Sequence, residues 1–101
     1  MQIAIDESGP TAKVVLTGRL DIAGAEVVAM PLATLAGNKD NIAIDMSGVS
    51  FVASIGLRHL VATAKVVVRR GGRLVLVDTR PAVAEVITVS GLADLLHMEQ
   101  A

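Results

Sequence analysis

Ser54 is the residue of this sequence whose type and position allow a simple chemical change, the transfer of a phosphate to its hydroxyl. It follows an apolar strand pattern over residues 42–46 and a turn, and it opens an amphipathic pattern that predicts a helix. The first turn of a helix carries unpaired backbone N–H groups and a partial positive charge, and both favour an anion. We therefore identify Ser54 as a candidate phosphorylation site. The alternative is an ordinary N-cap serine that accepts hydrogen bonds from the first turn.

The helix predicted to begin at Ser54 also carries a candidate docking strip. On a helical wheel, one side is apolar and is expected to face the sheet: Leu57, Leu60, Val61, Ala64, Val67 and Val68. The opposite side carries the basic residues Arg58, Lys65 and Arg69. Beside this basic stripe stand three apolar residues, Ile55, Ala62 and Val66. Two interpretations stay open: a partner-binding strip of mixed apolar and basic character, or a solvated face with scattered apolar exposure.

Three further residues are candidate site residues because of where they stand in the sequence. Gly56 costs about 1 kcal/mol relative to alanine inside a helix, which favours a role in close approach by another backbone or by a kinase. Asp21 is predicted to cap a helix that begins near Ile22. Asp45 lies at the end of the strand over 42–46, where sites gather in open parallel sheets. The alternative for Asp45 is a carboxylate that holds loop N–H groups in a turn.

Strands and helices alternate along the chain and must position these residues. The predicted order is a strand over residues 2–6, a strand over 12–17, a helix from 22 to about 38, a strand over 42–46, a helix over 54–70, a strand over 74–77 and a helix from 81 to about 90. Pro31 is expected to kink the first helix or to start a second one. A loop is expected from Ser47, and a last short strand or helical turn at 95–96.

This alternation predicts an α/β fold, with a mixed but mostly parallel sheet, an antiparallel hairpin at the start, and helices packed on the sheet. The strand over 74–77 is continuously apolar, which is typical of a strand covered on both faces. Val83, Val86 and Ile87 are expected to form the apolar face of the last helix. The length of 101 residues predicts one domain over 1–101.

The composition excludes several classes of function. Hydrophobic residues make up 52% of the chain, which excludes disorder, and the net charge of −1 argues against a general nucleic-acid binder. The absence of cysteine removes disulfides and thiolate chemistry and suits a reducing compartment, so we expect a cytoplasmic protein. We find neither a signal peptide nor an apolar run of about 20 residues, and expect no membrane insertion. His59 and His97 lack nearby ligands at metal spacing, so no metal or cofactor is expected.

Three segments carry a family resemblance. They are Gly-Arg-Leu-Asp at residues 18–21, Ile-Asp-Met-Ser-Gly-Val at 44–49 and Phe-Val-Ala-Ser-Ile-Gly-Leu at 51–57. In this order and spacing they resemble the Gly-x-Leu-Asp turn, the Asp-x-Ser/Lys-Gly-Val strand end and the Phe-Ile-Asp-Ser-Ser-Gly-Leu phosphorylation segment of the STAS domain, and within it of the anti-sigma-factor antagonist family. The resemblance extends over nearly the whole chain, to residues 90–92.

The resemblance implies a regulatory protein with no catalysis of its own. In that family, the unphosphorylated antagonist binds an anti-sigma factor that is also a serine kinase, and this frees a sigma factor to direct transcription. The kinase phosphorylates a serine of the antagonist, which by position is Ser54 here, and a serine phosphatase resets it. With the residues above, this gives a predicted partner-binding set of Asp21, Asp45, Ser54, Ile55, Gly56, Arg58 and Ala62. The sequence predicts no oligomeric state.

Two alternatives to a phosphorylated antagonist stay open. The first is a STAS interaction module that is not phosphorylated and belongs to a larger regulatory or lipid-transport assembly. Ala53 favours it, because the family often has aspartate at that place, and Ile55 replaces the second serine. The second is a small α/β enzyme or nucleotide-binding domain. Against it stands the absence of a phosphate loop, a catalytic triad and a metal cluster from the sequence.

Overall fold

Residues 1–100 are described in the computed structural model of the chain, and they form five strands and three helices. The strands are β1 (Gln2–Ser8), β2 (Thr11–Leu20), β3 (Asn41–Val52), β4 (Arg73–Val77) and β5 (His97–Glu99), and the helices are α1 (Ile22–Asn38), α2 (Ser54–Arg69) and α3 (Pro81–Val89). The strands form one sheet in the order β1-β2-β3-β4-β5. β1 pairs antiparallel with β2, and every other pair is parallel. The predicted mixed α/β fold with its antiparallel hairpin is confirmed.

All three helices pack on the same face of the sheet. Parallel strands in sequential order, joined by right-handed crossovers, place each connecting helix on one side. The buried side chains of the helices accordingly join those of alternate strand residues in one aliphatic core, which includes Leu16, Ile44 and Leu76 on the strands and Leu32 and Leu60 on the helices. The core therefore lies in a single layer between the sheet and the helices.

The opposite face of the sheet carries no helix among the described residues, and we call it the bare face. Val75 and Val77 point to it and are half-buried, while their neighbours Leu74 and Leu76 are buried. The expectation that β4 is covered on both faces is wrong. The continuous apolar run arises because Val75 pairs with Ala43 on β3, so that neighbours within the sheet supply its partial cover.

β3 is longer than the sequence predicts, because it continues through the expected loop at Ser47 as far as Val52. Its pairing with β4 ends at Asp45, whereas its pairing with β2 continues to Leu20 and Val52 after two register shifts. Gly48 lies at the first of these irregularities, where a Cβ would stand only 3.0 Å from the carbonyl oxygen of Leu16. The glycine permits the close approach of two strands and does not mark a turn.

The helices match the predicted positions with local corrections. α1 is a single helix that contains Pro31, so neither a second helix nor a break occurs there. On α2, Leu60 and Val67 are fully buried as predicted, but Val68 is 52% exposed and lies off the core side. On α3, Pro81 occupies the first turn as predicted, while Val86 is 40% exposed and not part of the core. Residues 95–96 form a turn that leads into β5.

Candidate phosphorylation and docking site

α1 and α2 begin side by side at the carboxyl ends of β2 and β3. The last paired residues of the two strands are Leu20 and Val52, and the backbone N–H of Ala53 donates to the carbonyl oxygen of Leu20 at 2.9 Å. Asp21 is the N-cap of α1 and Ala53 is the N-cap of α2. Two helix N-termini, each with unpaired N–H groups and a partial positive charge, are therefore neighbours at this edge.

Ser54 is the first residue of α2 and its side chain is exposed. The interpretation of Ser54 as an N-cap is wrong, because Ala53 has the extended backbone of a cap residue and no side chain caps the first turn of α2. The hydroxyl is therefore not engaged in holding the helix start. Its position at the positive end of the helix suits a phosphate.

Gly56 and Gly24 occupy the first turns of the two helices where these press against the end of β2. A Cβ on Gly56 would lie 2.5 Å from Cγ and 2.6 Å from the carbonyl oxygen of Leu20, and a Cβ on Gly24 would overlap the carbonyl oxygen of Arg19. The close backbone approach expected at Gly56 thus occurs within this chain, and the residue is buried. Its contact with a partner stays a prediction.

Gly56→Ala is expected to destabilise the domain by about 1–3 kcal/mol, because the added methyl group has to displace the backbone of Leu20. Gly37→Ala is the matched control, since a Cβ there meets nothing within 4 Å. Alanine is also the better helix former, so Gly37→Ala should stabilise by about 0.5–1 kcal/mol. Urea denaturation of both variants, followed by circular dichroism, measures the difference. Equal midpoints for the two variants would contradict the packing described here.

Asp21 caps α1 as predicted and joins a cluster that the sequence did not reveal. Its Oδ1 accepts from the backbone N–H of Gly24 at 2.9 Å, and its Oδ2 lies 3.6 Å from Nε of Arg19. The backbone N–H of Gly24 chiefly, then the backbone N–H of Asp21 itself and the charge of Arg19, hold the pKa of Asp21 below its ordinary value. Arg19 stacks over the ring of Phe51, the only aromatic residue, with its guanidinium carbon 4.2 Å from the ring centroid. Arg19 on β2 and Phe51 on β3 are neighbours because the register of the two strands places them opposite each other, and this register cannot be seen in the sequence.

The other predicted contact residues of α2 follow Ser54 along one outward side. Arg58 and Ala62 are exposed and Ile55 is half-buried. This side borders a groove between α1 and α2 with a volume of about 140 Å³, lined by Ala29, Ala33, Ala36, His59, Ala62, Thr63 and Val66. The structure thus brings Asp21, Ser54 and these three residues of α2 to one surface.

Asp45 does not share that surface. It lies within β3 and not at its end, and it points to the bare face between Val15 and Val77 of the neighbouring strands. Its Oδ1 accepts from the hydroxyl of Ser47 at 2.7 Å and from the backbone N–H of Ser47 at 2.9 Å. These two hydrogen bonds, the hydroxyl first, lower the pKa of Asp45. Asp45 therefore binds one nearby backbone N–H, but both residues lie within β3, so the turn expected around this carboxylate is absent.

Ser47→Ala is expected to raise the pKa of Asp45 towards its ordinary value, since it removes the hydroxyl that contributes most to the lowering. A carboxyl with a lowered folded-state pKa contributes stability above its unfolded pKa and loses it as the pH falls through the folded value. The acid limb of stability should therefore move to higher pH in the variant. NMR titration of the Asp45 carboxyl carbon gives the shift directly, and an unchanged titration would contradict the assigned cause.

Metal binding and membrane spanning find no support in the part of the chain that the structure describes. Within residues 1–100, no three His, Asp or Glu side chains converge in a way that could hold a metal ion. None of the helices in that range is both long and apolar enough to span a bilayer.

A singly wound five-stranded sheet with helices on one face, and with two helix N-termini meeting beside an exposed serine, defines a small two-layer α/β domain. The chain belongs to the STAS domain family, whose model matches residues 2–101. The resemblance inferred from the three sequence segments is confirmed at this level.

Relatives of known identity agree with this family. The chain is 26% identical over 98 residues to the anti-sigma-B factor antagonist of Bacillus subtilis, a match that covers 97% of this chain and 90% of the relative. It is similar in structure to the unphosphorylated anti-sigma factor antagonist SpoIIAA, with a TM-score of 0.86, 22% identity, and coverage of 99% and 88%. The phosphorylated form of SpoIIAA, the Bacillus cell fate determinant, gives a TM-score of 0.80 at 22% identity, with coverage of 99% and 91%. These structures establish the fold.

Proposed function

We propose that residues 1–101 act as a single cytoplasmic domain that antagonises an anti-sigma factor. The unphosphorylated form binds an anti-sigma factor that is also a serine kinase, and a sigma factor is released to direct transcription. The kinase ends the interaction by phosphorylating Ser54, and a serine phosphatase restores it. The domain performs no catalysis and needs no cofactor. The observation that carries this proposal is an exposed Ser54 hydroxyl at the start of α2, with no capping role.

The identities of the similar proteins support the proposal. One is an anti-sigma-B factor antagonist, and a structurally similar antagonist, SpoIIAA, exists in unphosphorylated and phosphorylated forms. The chain spans most of the length of each of these proteins, so the comparison concerns whole domains. A fold that accepts a phosphate in a relative is compatible with a phosphate here.

The local geometry suits a switch that acts through charge. A phosphate on Ser54 would bring nearly two negative charges to the positive end of α2, where they are stabilised. Arg58 lies one helical turn later, at the spacing that allows contact with that phosphate. The added charge would repel an acidic partner surface. Against an apolar partner surface, the phosphate would lose its hydration without gaining a compensating contact. The switch then needs no large rearrangement of the domain.

The proposed contact comprises Asp21, Ser54, Ile55, Arg58 and Ala62, which share one surface. Gly56 contributes by allowing α2 to begin close to Leu20, which sets the position of Ser54. The partner contact predicted for Asp45 stays a prediction, and it would be made on the bare face of the sheet.

A second candidate is a STAS module that is not phosphorylated and works within a larger regulatory or lipid-transport assembly. The specific observation in its favour is Ala53, which gives the first turn no carboxylate to orient the serine hydroxyl or a kinase-bound metal. The two candidates differ in whether a kinase modifies Ser54.

Phosphorylation in vitro separates the two candidates. The protein is incubated with ATP and each serine kinase anti-sigma factor of its source organism, and phosphate is located by mass spectrometry. We expect one kinase to modify Ser54, and expect Ser54→Ala to accept no phosphate while it still binds that kinase. If no kinase binds or modifies the protein, the antagonist proposal is wrong. Binding without modification favours the second candidate.

A further inference from the structure

The outward side of α1 is mostly apolar although nothing in the described chain covers it. Glu26 is the only charged residue among the 17 of this helix. Ile22 is 71% exposed, Met30 is 78% exposed and Val27 is 42% exposed. A helix that is apolar all round is normally buried on all sides. α1 is therefore built like a buried helix but has core contacts on one side only.

The outward side of α2 has the complementary property of an unbalanced positive charge. The helix contains Arg58, Lys65 and Arg69, all exposed, and no acidic residue. The chain as a whole has a net charge of −1, so this excess is local. Between the basic residues and α1 lie the half-buried Ile55 and the exposed Val66.

The groove between the two helices joins these surfaces. Its α1 wall consists of Ala29, Ala33 and Ala36, so another backbone can approach closely on that side, and its volume of about 140 Å³ gives room for inserted side chains. At its far end, Nη1 of Arg70 donates to the carbonyl oxygens of Ala36 at 3.0 Å and Lys39 at 2.8 Å. Ser54 stands at the opposite end, where α2 begins. The groove lining on α2 begins at His59, little more than one helical turn after Ser54.

We infer that this groove receives an amphipathic helix of the partner, with large apolar residues along one stripe and acidic residues on the flank that faces α2. α1 and α2 run in the same direction, so a third helix lies along them in the ordinary manner of a helix in a groove. α2 is about 24 Å long at 1.5 Å per residue, which corresponds to about 16 residues of the partner helix. The apolar stripe covers Val66, which lines the groove, and Met30 on the adjoining outward side of α1, and the acidic flank meets Arg58 and Lys65.

This inference rests on the proposed function, because it describes the part of the kinase that binds. It also explains why phosphorylation of Ser54 would weaken binding of the kinase. A phosphate on Ser54 lies at one end of the groove, where it repels the acidic flank and pairs with Arg58. One of the basic contacts is then lost to the partner while the apolar contacts at Met30 stay intact.

The test measures the affinity of the kinase identified above for four variants by calorimetry. Met30→Ser removes an apolar contact and Lys65→Glu reverses a basic one, and each is expected to weaken binding about tenfold or more. Val89→Ser and Glu85→Lys are the matched controls. Val89 is 80% exposed on α3, and Glu85 is an exposed charged residue of the same helix. Both controls should bind within about twofold of wild type.

The outcomes separate this inference from the proposed function. If wild type binds and Ser54→Asp weakens binding, but Met30→Ser and Lys65→Glu bind like the controls, the groove is not the docking site and the antagonist function stands. If the kinase fails to bind wild type, both proposals are wrong. Analytical sedimentation of the free protein tests whether a second copy of the chain covers α1. A wild-type dimer that Met30→Ser converts to a monomer would show that a second copy covers α1, and this overturns the inference.

Discussion

Leu60→Ala is expected to lower the free energy of unfolding by about 2–5 kcal/mol. Leu60 lies at the centre of α2, has no exposed surface, and packs into the aliphatic core between the helices and the sheet. The loss combines the transfer energy of the missing atoms with the energy of the cavity left behind. Against the total stability of about 5–15 kcal/mol that is usual for a domain, this is a large fraction.

Variants on the same helix control for general effects of substitution. Arg69→Ala, on the exposed side, should change stability by no more than about 0.5 kcal/mol. Val67→Ala and Val68→Ala form a matched pair, because Val67 is fully buried and its neighbour is 52% exposed. Urea denaturation followed by far-ultraviolet circular dichroism gives the midpoints. An unchanged midpoint for Leu60→Ala, or equal losses for the two valines, would show that the rotation of α2 about its axis is wrong.

The alternation of strands and helices could be predicted because each element carries its own periodic pattern. Its exceptions depend on contacts between elements. Ser47 and Gly48 have turn-forming residue types, yet β3 runs through them because β2 continues to pair beyond the end of β4. A single-sequence pattern contains no information about which neighbour a strand retains. Strand propensity is for the same reason more dependent on context than helix propensity.

The sequence pattern also could not show which faces of the sheet the helices cover. Val75 and Val77 alternate with buried residues, and an apolar residue at such a position is compatible with a helix above it or with shelter from neighbouring strands. Sequential strand order decides between the two, because it places every right-handed crossover on one face. The order itself becomes known only with the sheet.

The candidate site was predictable in its position and less so in its details. The start of α2 at Ser54 follows from composition and periodicity, whereas the assignment of the N-cap to Ala53 depends on one extended backbone conformation. The stack of Arg19 on Phe51 depends on the β2–β3 register after its second shift. By contrast, the near absence of charge from α1 is visible in the sequence, and it is the signal that could have identified the outer face of that helix.

Ser54→Asp is expected to weaken binding to the kinase about 10- to 100-fold while the fold is kept, and Ser54→Ala is expected to bind like the unphosphorylated wild type. The fold tolerates the carboxylate because Ser54 is exposed, has no capping bond to lose, and occupies the first turn of α2. There a negative charge gains about 0.3–1 kcal/mol from the helix dipole. Thermal denaturation should therefore show Ser54→Asp to be at least as stable as wild type.

The binding loss and the retained stability must occur together for the switch to be electrostatic. A phosphate carries more charge than a carboxylate and adds three acceptor oxygens, so phosphorylated protein should bind more weakly than Ser54→Asp. Arg58→Gln in the Ser54→Asp background tests the local pairing, since it removes the cation one turn away without adding charge. Calorimetry of wild type, Ser54→Ala, Ser54→Asp and the double variant ranks these effects. If all bind alike, Ser54 has no part in partner recognition, and an unphosphorylated STAS module describes the protein better.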